Sequence, residues 1–229
     1  MTNAVATSSL KPAVPDQNNL RRLGGQVRRR LEANPAVYSV TQENAEIYAV
    51  GDFMTAEECD RMIAMIDVVA RPSAVFDLTY GADYRTSYSG DVDAQDPFVR
   101  KISRRIDDLL GIDGRWGETI QGQRYLPGQQ FQPHNDWFWT EAGYWEREKN
   151  NGGQRSWTAM VYLNDVEDGG STDFVKLGLS IAPRKGVLLI WNNADLDGVP
   201  NEYTQHAGTP VKAGVKYVIT RWYRTRRWG

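Results

Sequence analysis

The sequence predicts a mainly β fold with flanking helices, built as a sandwich or a double-sheet jelly roll. Three observations predict it. Helical periodicities sit ahead of Gly117, the chain after it breaks into short strand-like runs, and clusters of Pro, Gly, Asn and Asp separate those runs. At 229 residues the chain can bury one good core, and an all-β fold of that length is routinely one domain. The expected organisation is a flexible tail over 1–18 and a single domain over 19–229. Within the domain, 19–115 supplies helical support and the first strands, and 116–229 supplies the jelly-roll core.

Residues 1–18 are small, polar and proline-bearing, a composition that cannot bury enough apolar surface to order itself. In "NLRRLGGQVRRRLEAN", Leu20, Leu23, Val27 and Leu31 form one helical stripe with five arginines largely elsewhere, although the Gly24-Gly25 pair weakens a helix. Two readings are open for the Arg-rich 21–30 segment: a solvated face on a docked helix, or a contact with acidic partners. "TAEECDRMIAMIDVVA" has Thr55 and Glu58 spaced as a capping box ahead of Met62, Ile63, Met65 and Ile66. In "DPFVRKISRRIDDLLG", Phe98, Ile102, Ile106 and Leu110 recur every fourth residue until Gly111 stops the run. The strand-like runs are "ETIQGQRYL", "QFQPHNDWFW", "RSWTAMVYLN", "LSIAPRKGVLLIW", "EYTQHAGTP" and "KYVITRWYR".

Bulk properties exclude several classes of partner. Lys+Arg at 27 against Asp+Glu at 29 gives a net charge of -2, so neither nucleic acid nor an anionic membrane is an expected partner. The apolar run "GVLLIW" is far shorter than the roughly 20 residues a bilayer span needs. "MTNAVATSSLKPAVPDQNN" lacks the basic start and apolar centre of a secretory signal. A single cysteine, Cys59, reads as a buried small hydrophobe and fits a reducing compartment, with the cytoplasm as the default address.

The chain has two histidines, and one stands in "HND". Side chains at i and i+2 of a strand share a face, so His134 and Asp136 are expected to project together with Asn135 turned away. A histidine and a carboxylate on one face supply two of the three ligands of a 2-His-1-carboxylate triad, which leaves positions open on Fe(II). The third ligand has one candidate, His206. Alone, the H-x-D spacing is also that of an ordinary hydrogen-bonded surface pair. Lys216 adds weight to the metal reading. A lysine between the apolar neighbours Val215, Tyr217 and Val218 is expensive to bury unless it meets an anion, which a dicarboxylate co-substrate would supply.

Taken together, "IYAVGDFMTAEECDRMI", "YRTSYSG", "QRYLPGQQFQPHND", "RSWTAMVYLNDVEDGGSTDF", "APRKGVLLIWNN" and "QHAGTPVKAGVKYVITRWYR" resemble the iron- and 2-oxoglutarate-dependent dioxygenases, in the prolyl 4-hydroxylase-like branch. The resemblance covers roughly residues 47–224 and implies a double-stranded β-helix, a cupin-like jelly roll. It implies His134, Asp136 and His206 as iron ligands and Lys216 as the cation that holds the distal carboxylate of 2-oxoglutarate. Lysine acts as a point charge and needs helper hydroxyls, for which Tyr125, Tyr162 and Thr220 stand at matching positions; each is also an ordinary strand residue. Thr220 and Trp222 share the face of Lys216 by the period of two. For Trp222 a wall of the iron pocket and plain core packing are both open.

"EDGGSTDF" resembles the family's GG-x-T-x-F turn through Gly169, Gly170, Thr172 and Phe174, and reads as architecture. Arg85 in "YRTSYSG" is the expected substrate contact, with a surface salt bridge as its rival. Trp139, among Trp137, Phe138, Tyr144 and Trp145, is expected in an aromatic rim that excludes water and holds an extended chain. The polar, glycine-bearing segment 140–155 suits a mobile lid.

The resemblance implies a dioxygenase that consumes O2 and 2-oxoglutarate, releases succinate and CO2, and oxidises an unactivated C–H bond; ascorbate is a possible reductant. The expected substrate is a prolyl residue in a peptide or protein. Rival readings keep the chemistry on a free amino acid or small molecule, or make the jelly roll a non-catalytic cupin-like sensor of a metal or small acid.

Overall fold

The structure, a computed structural model, describes residues 14–40, 43–74, 81 and 83–229. Helix α1 (Gln17–Glu32) buries Leu20, Leu23, Val27 and Leu31, the expected stripe. Gly24 is buried with them, and a Cβ there would lie 3.0 Å from the Asn192 amide nitrogen. That residue lets the helix approach the sheet closely. Asp16 accepts hydrogen bonds from the Thr225 hydroxyl at 2.8 Å and the Gln154 amide at 3.1 Å, and pairs with Arg226. Asp16 is thus tied to the C-terminal strand region; residues 1–13 of the expected tail lie outside the described residues.

Helix α2 (Ala56–Val69) carries the Thr55/Glu58 capping box and buries Cys59, Met62 and Ile66. Helix α3 (Pro97–Leu110) is capped by the Asp96 carboxylate and ends at Gly111, whose φ of 68° belongs to the left-handed region that favours glycine. Among the described residues no helix is long and apolar enough to cross a membrane.

Among the described residues fourteen strands follow the chain: β1 (Val37–Val40), β2 (Ile47–Val50), β3 (Arg71–Pro72), β4 (Tyr88–Asp91), β5 (Gln121–Tyr125), β6 (Phe131–His134), β7 (Arg155–Tyr162), β8 (Asp168–Gly169), β9 (Thr172–Phe174), β10 (Leu179–Ile181), β11 (Leu188–Asn192), β12 (His206–Gly208), β13 (Val211–Ala213) and β14 (Lys216–Arg224). The major sheet runs β1-β2-β11-β7-β14-β5-β4-β3, the minor sheet β10-β9-β12-β6, and β13 pairs with β8. All pairings are antiparallel, as a jelly roll requires. The run "LSIAPRKGVLLIW" divides into β10 and β11, which belong to different sheets. Pro133 is tolerated in β6 because that strand is an edge.

The major sheet has two working faces. Trp157, Ala159 and Val161 of β7 pack toward Val27, Met62, Ile66, Ile102 and Ile106 of the helices, together with Leu188, Ile190, Ile219 and Tyr223. The alternate residues Met160, Tyr162, Leu189, Trp191 and Val218 join Phe174 of the minor sheet in a second core inside the roll. Each central strand thus reads as continuously buried while serving two different interiors. At roughly 1.5–3 kcal/mol per buried large apolar side chain, the helix-side core anchors the sheet that carries the site.

Candidate metal centre

His134 ends β6 and His206 begins β12, and the two residues are cross-strand partners. Their ring centroids lie 4.3 Å apart. Asp136 reaches them from a bend just past the end of β6, so its convergence with His134 comes from a turn of the chain and not from the strand pleat expected of the H-x-D spacing. The Asp136 carboxylate stands 4.0 Å from His134 Nε2 and 3.8 Å from His206 Nε2. These separations exceed direct hydrogen bonds and leave room for an ion between the groups. One ligand atom from each residue falls within 4.8 Å of the other two.

The backbone fixes both imidazoles. His134 Nδ1 sits 2.8 Å from the Gln132 carbonyl and His206 Nδ1 sits 3.0 Å from the Thr204 carbonyl. A carbonyl only accepts, so each Nδ1 carries the proton and each Nε2 keeps its lone pair for the centre. Phe131 stacks on His134 with centroids 3.6 Å apart, which holds the ring plane. Burial, helped by the neighbouring His206, pushes His134 down to about 3, so its imidazole is uncharged at neutral pH. Burial by itself would raise Asp136, but His206, His134 and Arg155 outweigh it and hold the carboxyl below its ordinary range. Thr158 Oγ1 donates to Asp136 at 2.8 Å and accepts from the Asn193 amide at 3.0 Å. Two imidazoles and one oriented carboxylate fit a first-row divalent ion with open positions.

Two cavities meet at this triad, sharing Phe131, His134, Asp136 and Trp222. The inner one, about 40 Å³, lies inside the roll and is lined also by Gln123, Tyr125, Thr172, His206, Lys216 and Thr220. Lys216 is 3% exposed. Its ammonium lies 5.3 Å from the Tyr125 ring centroid and 5.7 Å from that of Tyr162, with no hydrogen bond or ion pair from the described residues. Burial pulls it down to about 7, against a slight upward pull from Asp173. Tyr125 donates to Gln123 at 2.7 Å, Gln123 donates to Thr220 at 3.2 Å, and Tyr162 donates to Thr172 at 2.7 Å. The expected hydroxyls are therefore gathered beside the lysine, Tyr162 at one remove behind Thr172.

The outer cavity, about 120 Å³, opens on the other side of the triad between Arg85, Gln121, Trp137, Phe138, Trp139 and Tyr144. Arg85 donates to Gln121 at 2.9 Å and lies over the Phe131 ring at 4.7 Å. Burial lowers its affinity for its proton. Trp139 is 46% exposed at the rim, and Trp222 is buried between the two cavities, as a pocket wall should be. Trp145 is buried and takes no part in the rim. The segment 140–155 departs from a free loop: it contains α4 (Trp145–Asn150), and the Glu148 carboxylate is buried against Arg224 at 2.7 Å.

Several site residues escaped the sequence reading. Gln123, Thr158, Asn193 and Arg155 are polar strand or loop residues with no motif of their own. Their roles depend on register, which sets Gln123 beside Val218 and Thr158 beside Trp222. Thr172, read as turn architecture, also faces the inner cavity. Gly169 and Gly170 do hold positive φ values of 76° and 68°, as the turn demands.

Residues 120–224 match the family described as the 2OG-Fe(II) oxygenase superfamily. The chain is 30% identical over 207 residues to prolyl 4-hydroxylase 1 of Arabidopsis thaliana, covering 82% of this chain and 71% of that protein. It is 36% identical over 146 residues to prolyl 4-hydroxylase subunit alpha-1 of Rattus norvegicus, covering 63% of this chain but only 27% of that longer subunit. Among solved structures, the viral collagen prolyl hydroxylase vCPH from Paramecium Bursaria Chlorella virus-1, in its 2OG complex, superposes with a TM-score of 0.61 at 26% identity, over 77% of this chain and 94% of that one. A prolyl hydroxylase from Trichoplax adhaerens, at 15% identity and a TM-score of 0.59 over 93% of this chain, shares the fold. With a full-length relative matched across most of its sequence and a pair of cavities meeting at a histidine–aspartate–histidine cluster, the chain belongs to the 2OG-Fe(II) oxygenases, in their prolyl 4-hydroxylase-like branch.

Proposed function

We propose that the chain hydroxylates a C–H bond of a prolyl residue in a peptide or protein, consuming O2 and 2-oxoglutarate and releasing succinate and CO2. His134, Asp136 and His206 hold the Fe(II), which when bound supplies the oxygen chemistry. Lys216, at the end of the inner cavity, takes the distal carboxylate of 2-oxoglutarate by a charge-assisted hydrogen bond. Thr220 is the nearest hydroxyl helper on its strand, and Tyr125, Gln123, Tyr162 and Thr172 hold the surrounding hydrogen bonds in place. Arg85, Trp139 and Trp222 meet the substrate in the outer cavity.

The observation that carries this reading is the buried ammonium of Lys216, unpaired among the described residues and lining the same inner cavity as a metal-ready triad. A buried cation without a partner is costly, and a bound dicarboxylate removes that cost. The prolyl assignment draws on the relatives' activities and on the aromatic lining of the outer cavity, which suits an uncharged ring. The test compares proline-containing peptides with free amino acids, given Fe(II), 2-oxoglutarate and ascorbate, and follows succinate and a one-oxygen mass gain. Peptide hydroxylation supports the assignment; turnover confined to free amino acids moves the substrate to the small-molecule class.

A further inference from the structure

The outer cavity is roofed by Trp139 and Tyr144, and the Tyr144 hydroxyl lies 3.3 Å from the Trp139 amide, which donates to it. Their segment is fastened at several points, among them the Lys149 carbonyl, which accepts from Arg226 at 2.7 Å. At its start, Phe138 and Gln154 exchange hydrogen bonds of 3.0 and 2.6 Å. Beyond Tyr144 comes the short helix α4, whose sequence "WEREKN" is polar and carries no side-chain cap. From that helix one carboxylate turns inward: Glu148 is 3% exposed and Arg224 is 1% exposed.

Arg224 Nη2 reaches Glu148 at 2.7 Å, its Nε reaches Glu118 at 2.5 Å, and its Nη1 donates to the Gly153 carbonyl at 2.8 Å. Glu118 in turn accepts two bonds from Arg155 at 2.7 and 2.8 Å. The Arg155 guanidinium lies 4.0 Å from the Trp222 ring centroid, on the wall of the outer cavity. An alternating series of buried charges thus runs from the helix to the substrate side of the triad. Such a series is an unnecessary expense for stability alone, because well-packed apolar residues would serve equally. It does fix geometry, since each carboxylate and guanidinium has one arrangement that satisfies all its partners.

We propose that Glu148 is a positioning residue of the substrate site: its buried pair with Arg224 holds α4 against the sheet, and Trp139 and Tyr144 stand over the outer cavity because of it. The inference rests on the outer cavity being where the substrate binds. It makes the roof a clamped one, in which the Glu148–Arg224 pair is the buried fastening at the far end of the helix.

The test compares Glu148→Ala and Glu148→Gln with the wild type in backbone hydrogen exchange and in steady-state kinetics. Glu148→Ala is expected to speed exchange over 139–150 by about tenfold or more while 155–162 keeps its protection. In the same variant the peptide KM rises about tenfold, and the KM for 2-oxoglutarate stays within about twofold. Glu148→Gln, which keeps the hydrogen-bonding shape without the charge, recovers part of both effects and serves should the alanine variant fail to fold. Unchanged exchange over 139–150 overturns the proposal, as does a joint rise of both KM values. If the wild type turns over no peptide at all, the prolyl reading falls alone, and the exchange result still decides the clamp.

Discussion

The inner and outer cavities share one wall and draw on strands and loops in different proportions. The inner cavity is lined from strands, with Gln123 and Tyr125 on β5, Met160 on β7, His206 on β12, and Lys216 and Thr220 on β14. Its side chains are locked by antiparallel register and by hydrogen bonds among themselves. The outer cavity adds, to the strand residues Gln121, Arg155 and Trp222, a set of loop residues: Trp137, Phe138, Trp139 and Tyr144 from the connection between β6 and β7, and Arg85 from the stretch ahead of β4. Strands place groups more tightly than loops do, and loops vary more freely. On the function proposed above, the chemistry common to the family sits on the rigid half and the choice of substrate on the half with more loop.

If that division holds, variants should sort by which reactant they affect. The largest effect is expected from Asp136→Ala or His134→Ala, which lose turnover on every substrate because the ion is no longer held. Next comes Lys216→Ala: removing a charged hydrogen bond of about 1.5–3 kcal/mol raises the KM for 2-oxoglutarate about 10- to 150-fold. Its metal affinity and peptide KM stay unchanged. A peptide KM that rises in step would mean the two cavities are not separate.

A pH experiment sharpens the same contrast in the ligand-free protein. Burial puts Lys216 at about 7 in the folded chain, against 10.5 for an ordinary lysine. Below pH 7 the ammonium is charged in both states and its burial cost is fully present. Between about pH 7 and 10.5 the unfolded chain holds the proton and the folded chain does not, so stability rises with pH across that window, by up to a few kcal/mol. Lys216→Met should be more stable than the wild type at pH 6.5 and should flatten that part of the rise, as read from denaturation midpoints at pH 6.5 and 9.5. Added 2-oxoglutarate works in the opposite direction, since an anion beside the ammonium raises its affinity for the proton. The smallest effect belongs to the rim: Trp139→Ala, at a half-exposed position, should raise the peptide KM a few-fold, about 1 kcal/mol, and leave the 2-oxoglutarate KM alone.

The two cavities also differed in how far the sequence revealed them. The inner one was legible because its groups are chemically conspicuous. Two histidines in the whole chain leave little choice of ligand, and a lysine among apolar strand residues announces a buried cation. The period of two then placed Thr220 and Trp222 on the face of Lys216, and β14 carries them so. Helices α2 and α3 were legible from their caps. What was hidden depends on pairings distant in sequence: Thr158 orients Asp136 only because β7 passes beside it, and Glu118, Arg155 and Arg224 look like solvated surface charges until the fold buries them together. The anchoring of 140–155 stayed hidden for the same reason. Composition described its polarity but could not show that Glu148 points inward.

The central claim is that His134, Asp136 and His206 form one metal centre. Anaerobic calorimetric titration with Mn(II), a redox-stable substitute for Fe(II), tests it most directly when wild type, Asp136→Ala and His206→Ala are compared. The account predicts one ion bound per wild-type chain and loss of that binding in each variant with the fold intact. A folded His206→Ala protein that binds Mn(II) as tightly as the wild type would contradict it.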